Sequence, residues 1–340
     1  MQFPLYSSEC IIFIQTMLTI MKEILKRCAD SLLFYPDDYG HIYGAVRELH
    51  KLYAPITGIT AGVQGAGSDI YLPQGKAISP PHAAFCLLEG QRTSVFMRGI
   101  YQAILKLKTI YPSTRLTILY AGCGPYATLV TPLTTLFKAE EINIQMLDIN
   151  PICLEAVKKL YTELGLSAYV GSYICEDATV YQAEIPPHLI ISETMMHALV
   201  REPQVAIMLN LIPQLTPGGL FIPQEITVSA TLLNFSQESK RCLDASFNPK
   251  RTSVGKIYTI SQHNCQKHQP VTVRMPENFE ETKELYLLTD IRVFNDQKLS
   301  INDCSLNIPV KVQSVEGYEG RDVTFEYIMG EKPAFRHHWS

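Results

Sequence analysis

Long runs of lysine and arginine are missing from this 340-residue chain, and its formal net charge is −4. That balance gives no general attraction to nucleic acid or to an anionic membrane. Paired cysteines are missing too: nine occur singly, with no Cys-x-x-Cys. An odd number of isolated thiols, with no convincing secretion signal, reads as the reduced cysteines of a cytoplasmic protein. No apolar stretch reaches bilayer length; the one in "SECIIFIQTMLTIM" runs for about a dozen residues and is interrupted by Gln15 and Thr16. It carries Glu9 and lacks a basic leader, so a helix with one buried face is expected there, with Ile14, Leu18, Met21, Ile24 and Leu25 on one side. Neither a P-loop nor a Ser-His-Asp arrangement is apparent, and there is no internal repeat. His263, Cys265 and His268 find no partner cluster to complete a zinc site, so a polar turn and no metal are expected.

What is present describes an ordinary globular protein, 46% hydrophobic and 18% charged, and long enough for two domains. Residues 1–84 read as a helical region followed by a loop or linker rich in Gly, Pro and Ser over 61–82. A helical pattern resumes through "HAAFCLLEGQRTSVFMRGIYQAILKLKTI". Within 85–223, "RLTILYAG", "INIQMLDINP", "AYVGSYICEDAT", "HLIISE" and "LFIP" alternate with helical segments, which implies a parallel sheet wound on both faces. Residues 224–340 hold short β-prone runs without helices, which reads as an antiparallel sandwich or barrel.

"ILYAGCGPYA" places Gly122 and Gly124 where a strand is expected to turn into a helix, a position where backbone must approach a ligand closely. Asp148 ends the next strand, at the spacing of a carboxylate that accepts hydrogen bonds from ribose hydroxyls. With Ala127 the loop also fits G-x-G-x-x-A, so NAD and S-adenosylmethionine compete as cofactors. Glu176, Asp177 and Ala178 follow the third strand at the rim where an adenine would be met; a turn or helix-cap role for Asp177 is the alternative. "SETMMHALVRE" then sets Glu193 and Glu202 nine positions apart. Taken alone, Glu202 reads as an acid in a helix's first turn.

Together these pieces resemble the catalytic core of the protein arginine methyltransferases, a class I S-adenosylmethionine-dependent family, over about 85–230. The acid loop keeps Ser192, Glu193, Met195 and Glu202 of that family's pattern, with Thr194, Met196 and His197 where the family has Trp, Gly and Tyr. "LLEGQRTSVF" resembles the family's D-x-x-R-T-x-x-Y/F helix. The resemblance implies a class I methyltransferase fold with a Rossmann-like sheet, an N-terminal helical region and a C-terminal β domain. It also implies that Arg92 holds the methionine carboxylate, with Thr93 and Phe96 shaping the cover. "RHHW" offers His338 and Trp339 as counterparts of the family's Thr-His-Trp turn, and Met195 and His197 join them as acceptor-binding candidates. Tyr120 departs from the family, which carries an acid there.

A guanidinium keeps its proton at ordinary pH and offers planar forks of N–H donors, which two carboxylates can grip from two edges. The expected function is therefore S-adenosylmethionine-dependent N-methylation of a guanidino nitrogen, with Glu193 and Glu202 as the catalytic pair. The absence of basic or Gly/Arg-rich tails favours free arginine or a small analogue over protein arginine. Another small N or O nucleophile and a non-catalytic cofactor-binding module are the alternatives. A homodimer is compatible with the sequence, which does not set the oligomeric state.

Overall fold

The computed structural model describes residues 8–36, 38–61, 67–244, 246–266, 269–279 and 282–340. In chain order the elements are α1 (Ser8–Phe34), α2 (Tyr39–Thr57), β1 (Ile70–Leu72), β2 (Gly75–Ala77), α3 (Pro80–Cys86), α4 (Gly90–Ile110), β3 (Leu116–Ala121), β4 (Ile142–Leu147), α5 (Pro151–Glu163), β5 (Val170–Ile174), β6 (Leu189–Ser192), α6 (Gln204–Leu211) and β7 (Leu220–Ile222). They continue with β8 (Glu225–Leu233), α7 (Phe235–Leu243), β9 (Arg251–Ser261), β10 (Val271–Arg274), β11 (Glu284–Phe294), β12 (Gln297–Leu299), β13 (Val310–Ser314), β14 (Asp322–Ile328) and β15 (Ala334–Trp339).

Uninterrupted apolar runs make β3 and β6 buried at every position, as central strands of a sheet covered on both faces must be. They pair in parallel within the order β5-β4-β3-β6-β7. The chain winds outward from β3 to β5, then crosses back to β6 and β7. Strand order therefore reverses between β3 and β6, and a ligand crevice is expected beyond their carboxyl ends. The expected α/β architecture is present. The antiparallel strands after β7 form two sheets, β12-β11-β8-β9 with β13 also on β11, and β10-β14-β15. Leu25 of α1 and the inner face of α2 (Ile42, Val46, Leu49, Tyr53) join one continuous core with both sheet systems. Ile14 lies where no side chain is described. No helix among the described residues is long and apolar enough to cross a membrane.

Five local expectations are corrected. No α-helix follows the glycine loop: residues 122–131 run as turns, then a 3-10 segment spans Pro132–Thr135. Ala127 adopts a left-handed φ of 43°, and Thr131 Oγ1 donates to the Tyr126 carbonyl at 2.7 Å, so side chain and backbone favour turns over helix. The segment read as a linker contains the hairpin β1–β2, although 62–66 lie outside the described residues. The long helical pattern divides into α3 and α4. Finally, α7 interrupts the β region, and "RHHW" forms part of β15 instead of a turn.

The two sheet systems meet where α4 crosses β11. Gly99 permits this, since a Cβ there would stand 2.5 Å from Val293 Cγ1. Gly99→Val is expected to cost about 1–3 kcal/mol through overpacking. Urea unfolding checks this: a lowered midpoint at constant slope is the expected result, and an unchanged midpoint refutes the close approach.

Candidate active site

A cavity of about 430 Å³ opens beyond the carboxyl ends of β3 and β6, within the range of small-molecule pockets. Gly122 and Gly124 form its floor. Gly122 has a φ of 74°, and a Cβ would stand 2.4 Å from Thr194 Cγ2, so glycine is required for the loop to lie against the acid loop. At the end of β4, Asp148 accepts from Gly124 N at 2.9 Å and from Asn150 N at 2.8 Å. Burial raises its pKa to about 6 despite those two donors.

Arg92, one turn into α4, is buried and clamped. Its Nε donates to Glu193 Oε2 at 2.9 Å, its Nη2 donates to the same oxygen, and its Nη1 donates to Glu89 Oε2 at 2.8 Å. Glu89 in turn accepts from Ser305 N at 3.0 Å and Ser305 Oγ at 2.8 Å, tying the cavity to the antiparallel region. Burial works against ionisation of Glu89, but the Arg92 charge and these hydrogen bonds hold its pKa below the ordinary value. For Glu193 burial outweighs Arg92, and its pKa is raised.

The Glu193 side chain is 9% exposed, and its Oε1 has no hydrogen-bond partner among the described residues. Glu202 is buried as well, with no described residue donating to its carboxylate. Burial, then the charge of Glu193, lifts its pKa to about 7, with Arg92 and Lys76 opposing the rise. Two carboxylates with unused acceptor capacity thus share one wall. They suit a cation rich in N–H donors.

The loop between them is held in an unusual shape. Ala198, Leu199 and Arg201 all have left-handed φ values of 49°, 53° and 65°, which non-glycine residues adopt only when neighbours enforce it. The enforcing contacts are long-range. Ala198 N donates to Thr289 Oγ1 and Arg201 N to the Pro333 carbonyl, each at 2.8 Å. Tyr327 OH donates to the Leu199 carbonyl at 2.8 Å, and Lys76 N to the Arg201 carbonyl at 2.9 Å. Thr194 N completes the frame, donating to the buried Gln204 Oε1 at 2.9 Å.

Of the residues singled out from the sequence, Arg92, Thr93, Gly122, Gly124, Asp148, Glu176, Asp177, Ala178, Glu193, Met195, His197 and Glu202 line this cavity. Asp177 also caps a turn, accepting from Thr179 N at 2.8 Å, so its alternative role is real. Phe96 is a core residue behind the wall, and Ala127 is likewise enclosed. His338 and Trp339 are not brought to the cavity: they pair with Thr324 and Val323 on β14, and Trp339 packs against Tyr318. Ser305, Leu306 and Ile308 hold the corresponding wall instead. Lys76 and Leu72 also line it from the β1–β2 hairpin. The dipeptide Pro73-Gln74 before Gly75 was the signal available for that turn. Among the described residues no His/Cys/Asp/Glu group is placed to hold a metal; His268 lies outside them.

Among solved structures, the chain is similar to the Trypanosoma brucei PRMT1 enzyme–prozyme heterotetrameric complex with AdoHcy. Identity is 12% over 73% of this chain and 89% of that one, with a TM-score of 0.50. No family model matches the chain, and no curated protein does. At that identity the likeness speaks for the fold. It agrees with the α/β core and antiparallel C-terminal region expected from the sequence.

The raised pKa of Glu202 has a stability consequence. A carboxyl whose folded pKa exceeds its unfolded value, ordinarily 4.5, contributes stability that is fully present below that value and lost as pH rises through about 7. Glu202→Gln removes the buried charge. It should raise stability at pH 8 by no more than roughly 3–4 kcal/mol at ~1.4 kcal/mol per pKa unit, read as a higher Tm, and should change little at pH 4. Equal effects at both pH values would contradict the burial argument.

Proposed function

We propose that the protein is an S-adenosyl-L-methionine-dependent N-methyltransferase acting on a guanidino nitrogen, with a small guanidino compound as the acceptor. The observation that carries this reading is the pair of acids lining the cavity whose floor is the Gly122–Gly124 loop: Glu193, whose buried Oε1 has no hydrogen-bond partner among the described residues, and the buried Glu202. A neutral or anionic acceptor would leave the unpartnered Glu193 oxygen and the buried Glu202 carboxyl without matching donors.

The residues present fit the cofactor. Gly122 and Gly124 allow close backbone approach, Asp148 suits the ribose hydroxyls, and the Glu176–Ala178 rim suits the adenine edge. Arg92 retains N–H groups beyond those given to Glu89 and Glu193, which suit a carboxylate. AdoHcy in the Trypanosoma brucei structure supports the same choice. NAD is less well served, because a dinucleotide's pyrophosphate normally sits on a helix N-terminus and the glycine loop here runs into turns. When bound, the cofactor supplies an electrophilic methyl group on a sulfonium.

The chain's own contribution is positional and electrostatic. Glu193, fixed by Arg92, and Glu202, fixed by the pinned loop, hold the two edges of the guanidinium and keep its charge on the nitrogens they face. The remaining nitrogen is thereby left to attack. A bound cation also draws the Glu202 pKa back down, so both acids are ionised in the complex. As the new N–C bond forms, that nitrogen must shed a proton, and Glu202, ionised in the complex and facing the guanidinium, is the carboxylate placed to receive it.

Turnover to S-adenosylhomocysteine with free guanidino compounds and with arginine peptides tests the reading and separates the two acceptor classes. Glu193→Gln should lower kcat at least a hundredfold, the scale of losing an electrostatic partner in the transition state, and far more than it weakens cofactor binding through Arg92. Glu202→Gln should also raise KM, and wild-type KM should climb as pH falls below about 7. Wild-type turnover by both variants would remove the guanidino assignment. Arg92→Lys should weaken S-adenosylhomocysteine more than its decarboxylated analogue, since lysine lacks the planar fork. Equal losses in calorimetry would instead make Arg92 a packing residue.

A further inference from the structure

We infer that Lys76 is a specificity-determining residue that receives a carboxylate on the acceptor, so that the acceptor class is free guanidino carboxylic acids such as arginine. The inference rests on the methyltransferase reading above and narrows it.

Lys76 lies on β2, half-buried, and lines the same cavity as Glu202. Its backbone N–H donates to the carbonyl of Arg201, the residue immediately before Glu202. The junction is tight: a Cβ on Gly75 would stand 2.9 Å from the Arg201 oxygen and 3.0 Å from the Glu202 carbonyl carbon. Backbone surrounds that position on the acid-loop side and cannot swing aside. The lysine and the acid therefore grow from one rigid junction, and the Lys76 charge is felt at Glu202.

The ammonium is oriented but not used up. Its Nζ donates to Asp69 Oδ2 at 2.6 Å, and Asp69 Oδ1 accepts from Ser79 N at 2.9 Å, which holds the carboxylate in place. Lysine has three N–H donors, so the pair leaves capacity for a second anion. Arg92, the other lining residue with a permanent positive charge, is clamped by Glu89 and Glu193, and its remaining N–H groups are assigned above to the cofactor's carboxylate. The lining acids Asp148, Glu176, Asp177, Glu193 and Glu202 repel an anion elsewhere on the wall. A guanidino acid entering with its cation on the glutamates finds its favourable anion partner at Lys76. In a peptide that carboxylate is an amide, and the interaction is lost.

Steady-state kinetics with arginine and with agmatine, which is arginine without its carboxylate, provide the test. Wild-type enzyme should favour arginine at least tenfold in kcat/KM. Lys76→Met should erase that preference by raising KM for arginine at least tenfold more than it raises KM for agmatine, and Lys76→Arg should retain most of it. Calorimetry should find S-adenosylhomocysteine affinity the same in all three proteins. Equal losses for both acceptors would make the Lys76–Asp69 pair a structural tie, and reduced S-adenosylhomocysteine affinity would place Lys76 on the cofactor's carboxylate; either overturns the inference. Peptide methylation without arginine turnover overturns it while sparing the guanidino reading. Cofactor binding with no turnover of any guanidino compound removes both.

Discussion

A guanidinium clamped between two carboxylates organises this protein. Arg92 ties Glu89, at the head of its own helix, to Glu193, 101 positions away, and Glu89 continues the chain to Ser305, 216 positions away. Burying an arginine to 8% side-chain exposure is costly unless its charge is matched by well-placed acceptors. Two acids around one cation more than match it. The second oxygen of Glu193 is left buried without a hydrogen-bond partner among the described residues, at the cavity's edge. The same contacts that hold α4, β6 and the 305–308 wall together therefore leave an anionic site for a cation.

Glu202 reaches that site by a different route. Its loop passes through three left-handed residues, a costly path for non-glycine backbone. Thr289, Pro333, Tyr327 and Lys76 each supply one hydrogen bond that makes it the stable path. The antiparallel strands thus act on the chemistry of the parallel sheet, as the frame against which the acid loop is bent. The β1–β2 hairpin closes the frame from the opposite side.

Much of the site was legible locally. Gly122, Gly124 and Asp148 mark strand ends, because a buried strand must stop at a turn and a parallel sheet places such turns on one edge. Glu193 and Glu202 stood out because acids flanking an apolar loop are unusual. The helix expected after the glycine loop failed because Thr131 and the left-handed Ala127 redirect the backbone, a choice that propensity does not register. "RHHW" misled because it matched a turn by composition, while its pairing partner, β14, made it a strand. Ser305 and Lys76 carried no motif at all.

The amino-acid sequence by itself determined the alternation of strands and helices in the central region, the β character of the C-terminal region, and the chemical identity of the groups around the site. Periodicity, glycine placement and buried apolar runs act over a few residues, so they can be read along the chain. Tertiary structure alone decided that Arg92 faces two acids, that one Glu193 oxygen has no partner among the described residues, that Ser305 lines the cavity while the C-terminal histidine and tryptophan do not, and that Lys76 shares a junction with Glu202. Those outcomes depend on contacts between residues far apart in sequence. Burial then sets the charge state: the same carboxyl that would ionise near 4.5 in an open chain holds its proton to about 7 once it is enclosed beside another acid.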